Sequence, residues 1–253
     1  MKRDELTGFL DGLLNLPAFS GDFSNNGVQV EGVDEVHKAV FAVDASRELF
    51  EAAVERNAEL IFVHHGLSWG ASPRRLTGYV AERYRTLFLN GITLYAAHLP
   101  LDAAPEFGNN AVLSKSIGLK ELKPFFHCDG VDIGFSGELP AARKLGELRD
   151  FFAERFGAGI RCLGELSRPV VKVAVVSGGG GLESLEEAAE RGVDLLLTGE
   201  LGHAMYHYAL ESGVAVLALG HYASETTGPR ALMELVAAKF DIEVEFVDIP
   251  TGL

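Results

Sequence analysis

The sequence predicts an α/β fold built from two related open α/β units, the product of a duplication, with a metal site in the cleft between them. Three observations carry this expectation. Apolar runs of strand length alternate with longer amphipathic stretches, a strand–helix–strand segment recurs in the second half, and ligand-type residues stand at the ends of the recurring strands.

The strands are expected around 38–43, 59–63, 92–97, 132–136, 171–176, 193–197, 214–219 and 243–248, and the helices around 3–14, 46–56, 73–90, 140–155, 182–191 and 224–239. At 253 residues the chain is near the size at which one core stops growing and a second begins. The expected units are therefore 1–125 and 126–253, with the C-terminal segment free to pack back on the first. Hydrophobic residues at 47% and charged residues at 23% are the balance of an ordinary globular chain, so disorder is not expected.

Composition also narrows function. A net charge of -14 argues against a general binder of phosphate backbones, which needs a basic surface to displace counterions. No run approaches the roughly 18 apolar residues of a membrane span. The opening MKRDELTGFLDGLLNL mixes acids into its apolar positions and reads as an amphipathic helix, not a signal peptide. Cys128 and Cys162 form no CxxC pair, so neither a disulfide scaffold nor a thiolate metal site is expected, and a reducing cytoplasm is the expected location.

The repeat is the most informative feature. KAVFAVDASRELFEAAVERNAELIFVHH from Lys38 is matched by KVAVVSGGGGLESLEEAAERGVDLLLTGE from Lys172. Glu55-Arg56 recurs as Glu190-Arg191, and Glu59 recurs as Asp194 at the same offset. Each copy continues into a strand that opens with Gly, GITLYAAHLPLD from Gly91 and GVAVLALGHYASE from Gly213. Here a shorter offset pairs His98 with His221 and Asp102 with Glu225 alike. Open α/β units bind ligands beyond the carboxyl ends of their strands, where these residues fall.

His64 and His65 follow the apolar run LIFV and precede Gly66. Buried as core, two successive imidazoles would need two hydrogen-bond partners; as ligands they need a turn at this point or two neighbouring metals, because adjacent strand side chains point to opposite faces. Asp102 and Glu225 supply the negative charge and bridging oxygens that a pair of cations requires. Alone, each could be a helix N-cap or first-turn acid; their equivalence in the repeat favours ligation. His221, after VAVLALG, is the fifth expected ligand. His98 precedes Leu99-Pro100, and both ligation and a supporting or proton-transferring role are open to it.

His203 and His207 lie four apart after Thr198-Gly199-Glu200 and share a helix face. Ala204 stands where the HExxH motif needs Glu, so His203 is expected at the rim of the site, binding substrate or moving protons, and His207 on the surface. Ser177 and the four glycines to Gly181 could present N–H groups to an anion, although they match neither the dinucleotide nor the P-loop spacing and serve equally as a simple turn. Asn25-Asn26-Gly27-Val28-Gln29 reads as a polar loop.

These segments also bring the chain close to a known family. SNNGVQVEG from Ser24, FVHHGLSWG from Phe62, YAAHLPLDAAPEFGNN from Tyr95, the SGGGG loop, TGELGHAMYHYALESG from Thr198, GHYASETTGPRAL from Gly220 and the final FVDIPTGL span nearly the whole length. In these the sequence resembles the Nif-three-like dinuclear metal-centre proteins, whose bacterial members are often labelled GTP cyclohydrolase I type-two homologues. The resemblance implies metal ligands at His64, His65, Asp102, His221 and Glu225, leaves His98 in a supporting role, and implies a ring-like homohexamer with its metal sites facing an internal cavity. Gly66-Leu67-Ser68-Trp69 departs from many members, where Pro often follows the double His, which changes the expected pocket lining.

Two divalent ions per subunit are therefore expected, of zinc, iron, manganese or cobalt, since mixed imidazole and carboxylate ligands suit all four. The leading functional expectation is a metal-dependent hydrolase in which His98 or His203 moves protons. Ring opening of a purine nucleotide such as GTP is an alternative that the family label implies. A non-catalytic metal-binding scaffold is the competing class, and turnover would separate it from the others.

Overall fold

The computed structural model describes residues 1–157 and 159–253. By internal contacts the chain forms two units, Met1–Leu101 with Gly228–Ile249 and Asp102–Thr227 with Pro250–Leu253.

The first unit opens with α1 (Arg3–Leu13) and continues through β1 (Gly27–Val30), β2 (Lys38–Asp44), α2 (Arg47–Glu55), β3 (Leu60–His65), α3 (Gly78–Asn90) and β4 (Thr93–Ala96). Strands β2, β3 and β4 are parallel neighbours, and β1 lies antiparallel along β4. Period-2 alternation assigns the two faces. Val40, Ala42, Ile61, Val63, Leu94 and Ala96 enter one core with Leu49, Phe50, Ala53, Tyr84 and Leu87 of the helices. Phe41, Phe62 and Tyr95 stack across the other face at 5.4 and 5.7 Å. Being covered on both sides, these strands read as continuous apolar runs, as parallel strands do. Ser46 starts α2 by accepting from Leu49 N at 3.1 Å, and Gly91, at φ 62°, ends α3 in the left-handed conformation.

After the short α4 (Leu99–Ala103), the second unit runs through α5 (Asn109–Ser116), β5 (Lys120–Cys128), β6 (Val131–Lys144), α6 (Leu145–Phe156), β7 (Arg161–Leu163), β8 (Pro169–Val176), α7 (Gly181–Glu190), β9 (Leu195–Thr198), α8 (Met205–Ser212), β10 (Ala215–Ala218) and α9 (His221–Glu225). Its sheet order is β5-β6-β8-β9-β10-β7, with β8, β9 and β10 parallel. Val173, Val175, Leu195, Leu197, Ala215 and Leu217 face α6. Ala174, Val176, Leu196 and Val216 face α7 and α8. Finally α10 (Thr227–Lys239) leads to β11 (Glu243–Phe246), which pairs parallel with β2 in the first sheet.

The sequence repeat is thus a topological repeat: β2–α2–β3–α3–β4 and β8–α7–β9–α8–β10 have the same strand order and direction. The division falls after Leu101 and not after residue 125, because β5 is hydrogen-bonded along β6 and belongs with the second sheet. The expected helix over 140–155 is partly strand. Arg143 and Lys144 pair with Val170 and Pro169, so β6 runs to Lys144 and α6 starts only at Leu145. The expected helix over 73–90 starts later as well, at Gly78. Among the described residues, no helix is long and apolar enough to cross a membrane.

Candidate metal centre

In the first unit the strand ends carry imidazoles. β3 runs through both His64 and His65, yet their ring centroids are 4.5 Å apart, and His98, just after β4, lies 5.2 and 5.7 Å from them. One ring nitrogen from each of the three lies within 4.8 Å of the others, close enough to meet at one ion. A turn beginning at the double His is one arrangement that the sequence allows; the structure instead carries the strand through His65.

Each ring is held from behind. His64, fully buried, donates from Nδ1 to the Ala97 carbonyl at 2.9 Å. His65 Nδ1 meets Asp44 Oδ1 at 2.8 Å, and Asp44 is its register partner at the end of β2. His98 Nδ1 meets Asp22 Oδ1 at 3.0 Å, while Asp22 Oδ2 accepts from Leu99 N and the His98 N–H donates to Asn26 Oδ1. Burial pushes the Asp22 carboxyl up. The hydrogen bond and charge of His98, with bonds from Asn26 and Ser24 N, outweigh that and hold it below the usual carboxylate range. A ring with its Nδ1 proton committed to an oxygen keeps its lone pair on Nε2, the form a cation binds. An acceptor behind a ligating imidazole is the usual outer support of such rings.

Beyond the ends of β4 and β10 stand Asp102 and the pair His221 and Glu225. Asp102, on α4, is buried, and its Oδ1 accepts from Ser177 Oγ at 3.0 Å and Asn109 Nδ2 at 2.9 Å. His221 and Glu225 are the first and last residues of α9, one turn apart on one face, with Nε2 to Oε1 at 3.2 Å. Glu225 is 3% exposed, and its carboxylate comes within 4.8 Å of that of Asp102. Behind the imidazole, Glu200 Oε1 lies 2.6 Å from His221 Nδ1. The hydrogen bond to Glu225 raises the His221 pKa; burial opposes it, and the Glu225 charge with the bond and charge of Glu200 carries it to about 9.

Gly178 makes this packing possible. It sits at φ +60°, and a Cβ there would collide with Glu225 Oε1 and press on His221 Nε2. Its carbonyl accepts from Gly199 N and Glu200 N, which fixes the turn after β9. The glycine-rich loop therefore sets carboxylate and imidazole geometry, and at Gly178 it faces acids, which disfavours the anion role that its composition allows. His203 is exposed in the turn before α8, not within the helix as expected, and His207 is exposed on α8. Among the described residues, neither joins a group of converging ligand atoms.

Asp22, Asp44 and Glu200 are parts of the site that the sequence does not single out, and Gly178 lies in a loop that it does single out, for a different role. For Asp44 and Glu200 a signal exists, since each ends or follows a strand of the repeat. Asp22 lies outside the repeat, and nothing in its neighbours marks it.

The fold and its strand-end residues together define a duplicated α/β protein with imidazole and carboxylate groups suited to a metal ion. The chain belongs to the Duf34/NIF3 (NGG1p interacting factor 3) family, whose sequence profile matches residues 1–252. It is 47% identical over 254 residues to a protein of Archaeoglobus fulgidus named GTP cyclohydrolase 1 type 2 homolog, and 45% identical over 254 residues to one of the same name from Pyrococcus horikoshii, with 100% of both chains covered in each case. It also superposes on the crystal structure of TTHA1606 from Thermus thermophilus with a TM-score of 0.90, 40% identity and 100% of each chain covered.

Proposed function

We propose that His64, His65, Asp102, His221 and Glu225 hold two divalent cations, and that the protein is a metal-dependent hydrolase acting on a small molecule. The observation that carries this reading is the approach of two buried carboxylates, Asp102 and Glu225, to within 4.8 Å. Two buried like charges repel strongly at low dielectric, so the pair needs cations or protons. The donor set fits cations: every imidazole offered has its Nδ1 fixed by an oxygen, and the loop at Gly178 leaves no room for a side chain.

Bound divalent cations supply Lewis acidity, polarising a substrate and making water a stronger acid. The chain's own residues would then orient and move protons. His98, anchored by Asp22, presents Nε2 as an acceptor, and exposed His203 is placed to exchange protons with solvent. Mixed nitrogen and oxygen donors suit zinc, iron, manganese or cobalt. The cytoplasm and a homohexamer complete the proposal.

Purified protein without added metal should contain about two ions per chain by elemental analysis, and a His64→Ala, Glu225→Ala variant should contain none. A panel of nucleotides and phosphoesters should be turned over by the loaded parent and not by the variant. Equal inactivity of both, with metal held only by the parent, would replace the hydrolase with a scaffold. A second reading, purine ring opening, is favoured by the name that the Archaeoglobus and Pyrococcus relatives carry. It requires that GTP alone of the panel be consumed, with loss of the purine absorbance.

A further inference from the structure

We infer that Phe23 and Trp69 form a stacking shelf beside the histidine group, and that the substrate of the site proposed above carries a flat heteroaromatic ring. The substrate assignment rests on the metal-centre reading, whereas the shelf is a feature of the first unit alone. Phe23 is 65% exposed. Its ring lies 6.5 Å from that of Trp69 with the planes 30° apart, a loose tilted contact near the outer limit for an aromatic pair. Trp69 in turn stands edge-on to His98 at 5.0 Å and lies 6.2 Å from His65. Phe23, Trp69 and the imidazoles therefore form a succession of neighbouring rings that begins at solvent.

The shelf is held in place before any ligand arrives. Trp69 Nε1 donates to the Gly66 carbonyl at 2.9 Å, which fixes the indole. Gly70 N donates to Phe23 O at 2.7 Å, Asn25 N to Ser68 O at 3.1 Å, and a β-bridge joins Ser24 to Trp69. Gln29 Oε1 accepts from Leu67 N and Ser68 N at 2.7 and 2.9 Å. Gly70, at φ +50°, has no space for a Cβ, because the Phe23 ring occupies it. An aromatic pair held this firmly, with Phe23 exposed and Trp69 half-buried, is a pre-ordered surface for a π-face, a contact that any flat base can make.

A polar group beside the shelf narrows the ring further. Asn25 commits its amide nitrogen to Ser68 Oγ at 2.7 Å and Gly70 O at 3.0 Å, so what it offers a ligand is its carbonyl oxygen. A ring bearing an amino group or a ring N–H matches that acceptor.

Trp69 is the sole tryptophan of the chain, so its emission reports on the shelf directly. Zinc-loaded full-length protein is titrated with adenosine 5′-monophosphate and, separately, with ribose 5-phosphate, which carries the same phosphate and sugar without the ring. The nucleotide should quench saturably and the sugar phosphate should not. Phe23→Ala should weaken nucleotide binding by roughly ten-fold while zinc content stays at the parental value, and Phe23→Tyr should restore it. Equal quenching by both probes, no quenching by the nucleotide, or parental affinity in Phe23→Ala overturns the shelf. Quenching that persists in protein unable to retain any metal removes the metal-centre reading and leaves the shelf standing.

Discussion

The two sheets carry the same β–α–β–α–β path and follow its last strand alike, with His98 and Asp102 in one copy and His221 and Glu225 in the other, but they differ at the end of the middle strand. There the first copy presents His64 and His65, with Asp44 behind His65, whereas the second has Gly199 and Glu200. His65 and Glu200 occupy the same place in the repeat, one as the last residue of the second strand and the other just beyond it. One offers its ring to the site, and the other stands behind a ring, that of His221. A duplicated scaffold therefore fixes where functional groups emerge, while the residue at each position decides whether it binds or supports.

The sharpest way to break this comparison is to remove charge where the two copies agree. Glu225→Gln should lower cation affinity by at least about 100-fold, measured by competition with a chelator, because it takes one of two close carboxylates from a buried site. An unchanged affinity would place the cations elsewhere. The supporting residues should matter less. Asp44→Asn and Glu200→Gln are each expected to cost roughly 10- to 100-fold in affinity, with folding cooperativity intact, the range seen when the partner behind a ligating histidine is lost. A larger effect for either than for Glu225→Gln would reverse the roles assigned above.

Gly178→Ala should act on shape and not on charge. The left-handed backbone costs an L-residue about 1–2 kcal/mol, and the added methyl displaces Glu225, so both the midpoint of thermal unfolding and metal affinity should fall. The same substitution at Gly192, where a Cβ meets nothing within 4 Å, should show the backbone effect without the loss of affinity.

The smallest expected signal comes from His221. With its pKa raised to about 9, the imidazole is protonated at neutral pH, and a cation needs it neutral. Loading at neutral pH should therefore release about one proton from this group, and the release should fade as pH rises through about 9. Calorimetric titration in buffers of different ionisation enthalpy measures the count. Glu200→Gln removes a supporting interaction that helps raise this pKa, so it should shift the fading to lower pH.

Much of this is legible in the sequence because the repeat is regular. The parallel strands are buried on both faces and so read as unbroken apolar runs, and the residues that end them stand out by polarity. What escapes is set by tertiary pairing. The segment Leu139-Pro140-Ala141-Ala142-Arg143-Lys144 reads as the start of a helix by composition, but Arg143 and Lys144 are drawn into the sheet by Val170 and Pro169. β1, β5 and β7 at the sheet edges alternate too weakly to be recognised. Asp22 reaches His98 across 76 positions of sequence, a contact that no local pattern encodes. The first helix of the repeat is legible to within a residue because Ser46 caps it. By contrast, no break in the pattern separates α9, which carries His221 and Glu225, from the helix that follows.

Glu200, His221 and Glu225 are joined by contacts of 2.6 and 3.2 Å, and exposure falls along that line from 56% at the Glu200 side chain to 4% at the Glu225 side chain. A carboxylate sealed from bulk water thus stays in communication with it through an imidazole that can take up hydrogen at one face and surrender it at the other. The interior acid is thereby tied to the surface through two side chains and not through an opening of the fold.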